Sequence, residues 1–327
     1  MKSSLSPDKG LAILKIKLPG IYKTLTGRKT RLDGIALGIG PRGNWDSQWV
    51  LDPSILKLDD MYYMWYTGYD GKNLRIGLAT SADALNWSKH DDNPLFDLGE
   101  SGTWEDFHVY NPCVFQDKDE LYMWYAGARV KKGDWEAKIG LATSRDGINW
   151  DRHPGNPVLS YELPWELHSV FGPCVLSVDG TYHMWYAGGG IPRGIGLATS
   201  GDGKTWVKYD ANPVLEGVAG TWEYVGMDRP AVIKVGNEFR MYYSGLQLPY
   251  AARIGLATST DGKEWVKSSQ NPVLDLSPNS FDDTYVADCW VMIIDGVYYM
   301  WYRGHDGRLS RIGLATSPDG ITWTKQR

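Results

Sequence analysis

The string IGLATS begins at Ile76, Ile139, Ile195, Ile254 and Ile312, and each copy runs into S-x-D-[GA]-x-x-W, closed by Trp87, Trp150, Trp206, Trp265 and Trp323. Successive copies lie 63, 56, 59 and 58 residues apart, so the chain must fold as repeated supersecondary units that bury their apolar faces against one another. Upstream of each copy lies an aromatic run: MYYMWYTG from Met61, LYMWYAG from Leu121, YHMWYAG from Tyr182, FRMYYSG from Phe239 and VYYMWYRG from Val297. Downstream of the first four comes N-P-[VL]-[LF]. Alternating apolar and polar residues, punctuated by Gly, Asn-Pro and Asp-Gly, predict four short antiparallel strands per unit and no helices. The expected fold is all-β, a five-bladed β-propeller. The fifth copy stops at Arg327 without its Asn-Pro strand, whereas GIAL (Gly34 to Leu37) stands about one strand before Trp45. This N-terminal strand is expected to complete the last blade and close the ring. Residues 34–327 then form a single propeller domain, and residues 1–33 are an unassigned extension.

Within S-x-D-G-x-x-W, Asp accepts turn N–H groups, Gly supplies a positive φ and Trp packs between layers. Present in every unit, it reads as architecture. The same holds for the acid after each leading aromatic (Asp46, Glu105, Glu166, Glu223, Asp282). Of 16 Trp, only Trp49, Trp135 and Trp290 fall outside the repeated positions.

Trp45, Trp104, Trp165, Trp222 and Phe281 each precede by seven residues Asp52, Asn111, Gly172, Arg229 and Asp288, followed by Pro in four units and Cys289 in the fifth. Two places beyond that register come Ser54, Cys113, Cys174, Ala231 and Trp290, four of them small enough for the crowded axis of a ring. Strand alternation puts positions two apart on one face, so both sets are expected to face the central channel. Function is then sought where units disagree: Asp52 and Asp288 in a slot otherwise held by Asn, Gly and Arg; Asp228 in a slot otherwise apolar or aromatic; and His108, His168, Arg303 and His305 near the channel mouth.

The repeat region resembles the five-bladed propellers of glycoside hydrolase families 43, 32, 68 and 130. WVLDP (Trp49 to Pro53) is similar to the first-blade Asp-Pro signature of families 43 and 32, which implies Asp52 as general base or nucleophile. MDRPAVI (Met227 to Ile233) resembles the E-x-P-x-I strand of family 43, which implies Asp228 as the general acid in place of Glu. The third family carboxylate falls at Gly172 or Asn111, neither of which ionises, so Asp288 is expected to assist from across the ring. VYNP (Val109 to Pro112) with IGLATS is similar to family 130, the mannoside phosphorylases. That resemblance implies a phosphate-binding cluster, for which Arg229, His108, His168, Arg303 and His305 are the candidates. Asn111 joins them as a substrate-binding candidate, and Trp49, Tyr285 and Trp290, with Tyr110 and Phe171, offer faces either for sugar stacking or for packing between blades.

The expected function is hydrolysis of glycosidic bonds by paired channel carboxylates, one protonating the leaving oxygen and one activating water or attacking the anomeric carbon. Phosphorolysis of the family 130 kind and non-catalytic glycan binding are the alternatives. Asp228 beside Arg229 would be driven toward the ionised form if that guanidinium faces it, which opposes an acid role. The partner is therefore a small-molecule or oligosaccharide substrate. A net charge of −5 gives no basic face for nucleic acid, and no apolar run approaches the ~20 residues of a membrane helix. Lys15 and Lys17 interrupt LAILKIKL (Leu11 to Leu18) before it can serve as a signal-peptide core, so a cytoplasmic location is expected. Three cysteines without CxxC support neither a disulfide framework nor a zinc site. No cofactor is required; a structural calcium ion in the channel stays open, as does the oligomeric state.

Overall fold

A computed structural model of the chain describes residues 34–131, 133–249 and 251–326. The extension expected over 1–33, including Leu11 to Leu18, lies outside the described residues. Among these the architecture is nearly all β: the one helical segment is the short 3-10 turn Pro164–Glu166, and no helix is long and apolar enough to cross a membrane.

Each repeat builds an antiparallel group. The inner strands are Trp49–Leu58, His108–Asp117, Val170–Val178, Gly226–Val235 and Tyr285–Ile294. Each pairs with the MWY-type middle strand (Met61–Tyr69, Glu120–Lys131, Thr181–Gly188, Glu238–Gln247, Val297–His305), which pairs in turn with the IGLATS strand. The N-terminal strand Ile35–Leu37 lies antiparallel to the last IGLATS strand, with Leu37 opposite Ile312. Phe96, Leu159 and Leu274 of the Asn-Pro segments stand in the same relation to Ile76, Ile139 and Ile254.

Neighbouring units are tied at two radii. Toward the periphery, the buried Trp65, Trp124 and Trp185 donate their indole N–H to the turn carbonyls of Gly147, Gly203 and Gly262 in the following unit, each at 2.9 Å. Tyr242 repeats this toward Gly320 at 2.8 Å, and Trp301 meets Trp87 edge-on at 6.2 Å. This explains why the repeat demands an aromatic with a polar handle: a buried indole keeps its N–H only if a partner waits for it. Closer to the axis, parallel bridges join Ala137 to Ser169, Arg193 to Gly226, Ala252 to Tyr285 and Ser310 to Trp49. At the first junction His108 Nδ1 accepts the Leu74 N–H at 3.0 Å instead.

The repeated acids have architectural partners. Glu166 accepts from the Tyr186 hydroxyl and from Lys208 Nζ, both at 2.7 Å, and Asp46, Glu223 and Asp282 hold the equivalent Tyr and Lys. Each S-x-D turn closes as expected, as where Asp146 Oδ1 accepts the N–H groups of Ile148 and Asn149 at 2.9 and 2.8 Å.

Candidate functional site

Asp52, Asn111, Gly172, Arg229 and Asp288 converge on one axial pocket, together with Pro53, Pro112, Pro173, Pro230, Cys289 and Trp290. All five have left-handed φ, between 49° and 60°, at a bulge where the pairing register slips. Four of the five carry a Cβ, which costs roughly 1–2 kcal/mol each in that region. The bulge corrects the expectation drawn from simple alternation. Ser54, Cys113 and Cys174 do not line the pocket but turn into the next unit, where they accept the N–H groups of Val114, Val175 and Val232 at 2.9, 3.2 and 3.2 Å.

The cavity is about 30 Å³, room for roughly one water molecule. It is smaller than a sugar ring and opens at a mouth. On that side the inner strands alternate normally. Val50, Val109, Val170, Met227 and Val286 are buried completely, and between them Leu51, Tyr110, Phe171, Asp228 and Ala287 form a tier above the floor, with Trp49, His108 and Tyr285 two residues further out.

Four ion pairs connect the three carboxylates to three arginines. Arg229 reaches Asp52 and lies 3.9 Å from Asp288, Arg303 Nη1 meets Asp288 Oδ2 at 3.3 Å, and Arg193 Nη1 meets Asp228 Oδ2 at 2.7 Å. Asp52 and Asp288 thus share the floor, whereas Asp228 stands one tier above it, and its hydrogen-bonded partner is Arg193, not its neighbour Arg229. The guanidinium groups also lie against aromatic rings: Arg229 near Tyr110 and Phe171 (5.8 and 5.6 Å), Arg193 near Phe171 (5.4 Å), and Arg303 near Trp49 and Tyr285 (5.4 and 5.6 Å). Burial pushes the carboxyl groups of Asp52 and Asp228 upward; Arg229 works against this at Asp52, and Arg193 and Arg229 do so at Asp228. Burial would lower Arg229, but Asp52, Asp288 and Asp228 more than offset it and hold the guanidinium charged.

Several buried polar atoms here have no protein partner: Asp52 Oδ2, both amide atoms of Asn111, Arg229 Nε, and the indole nitrogens of Trp49 and Trp290. Such groups are costly to bury without a partner. No group of three or more His, Cys, Asp or Glu among the described residues is arranged to hold a metal ion.

The histidines separate. His305 stands edge-on to Trp49 and Tyr285 at 6.1 and 5.9 Å, with burial and then Arg303 lowering it to about 4. His108 is 1% exposed, packed against Trp135, and lowered to about 3 by burial, so it is a neutral junction residue whose Nδ1 is already engaged. His168 is exposed beside Tyr161 and contributes its backbone carbonyl to Ala137. Neither joins the arginine cluster.

Arg193 was not expected. The other four units place a basic residue directly before IGLATS (Arg75, Lys138, Arg253, Arg311); the third has Gly194 there and its Arg one position earlier. With a period of two, that shift sends the side chain to the opposite face of the strand.

The chain is 27% identical over 276 residues to an uncharacterized protein of Mycobacterium tuberculosis, covering 78% of this chain and 88% of that one. It is 24% identical over 277 residues to a 1,2-beta-oligomannan phosphorylase of Thermoanaerobacter sp., covering 66% and 92%. A thermostable family-43 glycoside hydrolase of known structure shares its fold, with a TM-score of 0.67 at 19% identity over 85% of this chain and 94% of that one. Residues 33–104, 100–214 and 191–327 match glycoside hydrolase family 130, described as beta-1,4-mannooligosaccharide phosphorylase, and the chain belongs to that family.

Proposed function

We propose that this protein cleaves β-mannosidic bonds of short oligosaccharides by transferring the terminal glycosyl group to inorganic phosphate, on a five-bladed propeller closed by its N-terminal strand. The observation that carries the phosphorolytic reading is the gathering of Arg193, Arg229 and Arg303 around Tyr110, Phe171 and Tyr285 at the mouth of the axis. Guanidinium forks suit phosphate, and their carboxylate partners keep them positioned until it arrives. The five junctions, with Ser310 against Trp49 and Leu37 against Ile312, support the closed ring.

In this reading Asp228 is the general acid. Its carboxyl gives its proton to the glycosidic oxygen, the bond from that oxygen to the anomeric carbon breaks, and a phosphate oxygen bonds to the carbon. The proton of hydrogen phosphate then restores Asp228, leaving a glycosyl phosphate and a shortened glycan. Asp52 and Asp288 anchor Arg229 and Arg303, while Trp49 and Tyr285 face the sugar and Asn111 and Trp290 meet its hydroxyls. Hydrolysis is the second reading, with Asp52 on the pocket floor as the carboxylate that activates water.

The two are separated by incubating the protein with β-1,2- and β-1,4-mannobiose, with and without phosphate. Phosphorolysis requires phosphate and yields a sugar phosphate; free mannose released at equal rate without phosphate would establish hydrolysis instead.

A further inference from the structure

Arg193 stands at the start of the third IGLATS strand, where its backbone bridges Gly226 of the fourth inner strand. From there its side chain turns to the mouth of the axis, with Nη1 2.7 Å from Asp228 Oδ2 and Cζ 5.4 Å from the Phe171 ring. Arg229 lies 5.6 Å from the same Phe171 ring and is committed to Asp52. Asp228 is only 5% exposed, so its charge state depends on the few groups that face it. These are Arg193 from the third unit, Arg229 from its own strand, and Asp288 and Tyr285 from the fifth inner strand. Arg193 is the group that hydrogen-bonds the carboxylate, and its side chain, at 26% exposure, is the one of the pair open to the mouth.

We infer that Arg193 is a positioning residue that couples anion binding to the state of Asp228: its guanidinium holds the carboxylate in the free protein, and phosphate arriving at the mouth draws it away. This rests on the phosphorolytic reading. A carboxylate left buried without its guanidinium is destabilised relative to its protonated form, so Asp228 takes up a proton when the nucleophile is in place. The acid is armed by the co-substrate, and wasteful protonation without phosphate is suppressed. Arg193→Lys keeps the charge but loses the planar fork, and Arg193→Met removes the charge at similar volume.

The test is the pH dependence of mannobiose turnover at subsaturating and saturating phosphate. A general acid must be protonated, so activity falls as pH rises through its pKa. The alkaline limb of the native protein is expected to move to higher pH, by about one unit, as phosphate saturates. In Arg193→Met the limb lies at the higher pH at both concentrations, and KM for phosphate rises about tenfold or more. Arg193→Lys restores part of the phosphate dependence, and thermal melting of all three proteins verifies the fold. A native limb that does not move with phosphate, or an Arg193→Met limb that still does, overturns the inference while leaving phosphorolysis intact. Turnover indifferent to phosphate overturns the phosphorolytic reading, and the inference with it.

Discussion

The guanidinium of Arg229 crosses the axis to the carboxylate of Asp52, a residue 177 positions earlier in the chain. This joins the inner strands of the first and fourth units through a buried charge pair. Removing one partner leaves the other charged and desolvated, so Arg229→Met is expected to cost about 3–5 kcal/mol of stability. Asp52→Asn should cost less, because Asp288 still lies 3.9 Å from Arg229 Nε. The double variant should be more stable than the sum of the single losses implies. Urea unfolding of the four proteins measures this coupling, and strictly additive losses would show that the pair contributes nothing.

His108 gives the protein a specific sensitivity to acid. Its folded-state pKa of about 3 lies well below the ordinary histidine value, because burial of the ring disfavours its charged form, and its Nδ1 accepts the Leu74 N–H. Between those two values the unfolded chain binds the proton and the folded chain does not, so stability is fully present above about pH 6.5 and is lost as pH falls toward 3. The slope from this residue is at most about 1.4 kcal/mol per pH unit. Asp52 and Asp228, raised by burial, act in the opposite sense. His108→Gln should therefore flatten the loss of stability between pH 6.5 and 4 seen in urea titrations. An unchanged slope would show that His108 is already protonated in the fold.

The repeat was legible because its residues perform the same contact in every unit: Trp65, Trp124 and Trp185 each reach the next unit's turn glycine, and each leading acid accepts from a Tyr and a basic side chain. Asp52, Asn111, Arg229 and Asp288 could be grouped by register, and they do converge. The direction of Ser54, Cys113 and Cys174 could not be read, because a left-handed residue just before them resets the alternation on which the reading relied. Arg193 left a signal, the basic residue displaced by one position, but its pairing with Asp228 joins strands from two units and exists only in three dimensions. His108 looked functional because it broke the repeat. It does so because its ring replaces the backbone bridge made at the other four junctions.

One irregularity in the turns should be repairable. Ala84 has a φ of 63° where the other units have Gly147, Gly203, Gly262 and Gly320, and the Trp301 indole that faces this turn lacks a hydrogen-bond partner. Ala84→Gly relieves the left-handed strain and should raise stability by about 1 kcal/mol. The reverse change, Gly147→Ala, should be worse than a loss of that size, since its Cβ would stand 2.8 Å from Trp65 Cζ2. Thermal melts of the two variants test this, and a destabilised Ala84→Gly would mean that the turn does not adopt this backbone.

Trp49 should be the sugar platform of the mouth. One face stacks on Tyr69 at 4.4 Å, Arg303 lies 5.4 Å from its ring, and its indole nitrogen is buried without a partner. It sits at the strand start, where its backbone bridges Ser310 whatever the side chain, and its ring is only partly buried, so its loss should touch binding more than folding. Trp49→Ala is expected to raise KM for mannobiose roughly three- to tenfold while the melting temperature changes little. Trp49→Phe keeps the ring face but removes the N–H donor, so a sugar that uses only stacking will tolerate it and one that also hydrogen-bonds the indole will not. Quenching of tryptophan fluorescence on adding mannobiose, present in the native protein and diminished in both variants, would tie the effect to this side chain. If KM and quenching are unchanged in Trp49→Ala, the glycan does not rest on this face, and the platform must be sought at Tyr285 or Trp290.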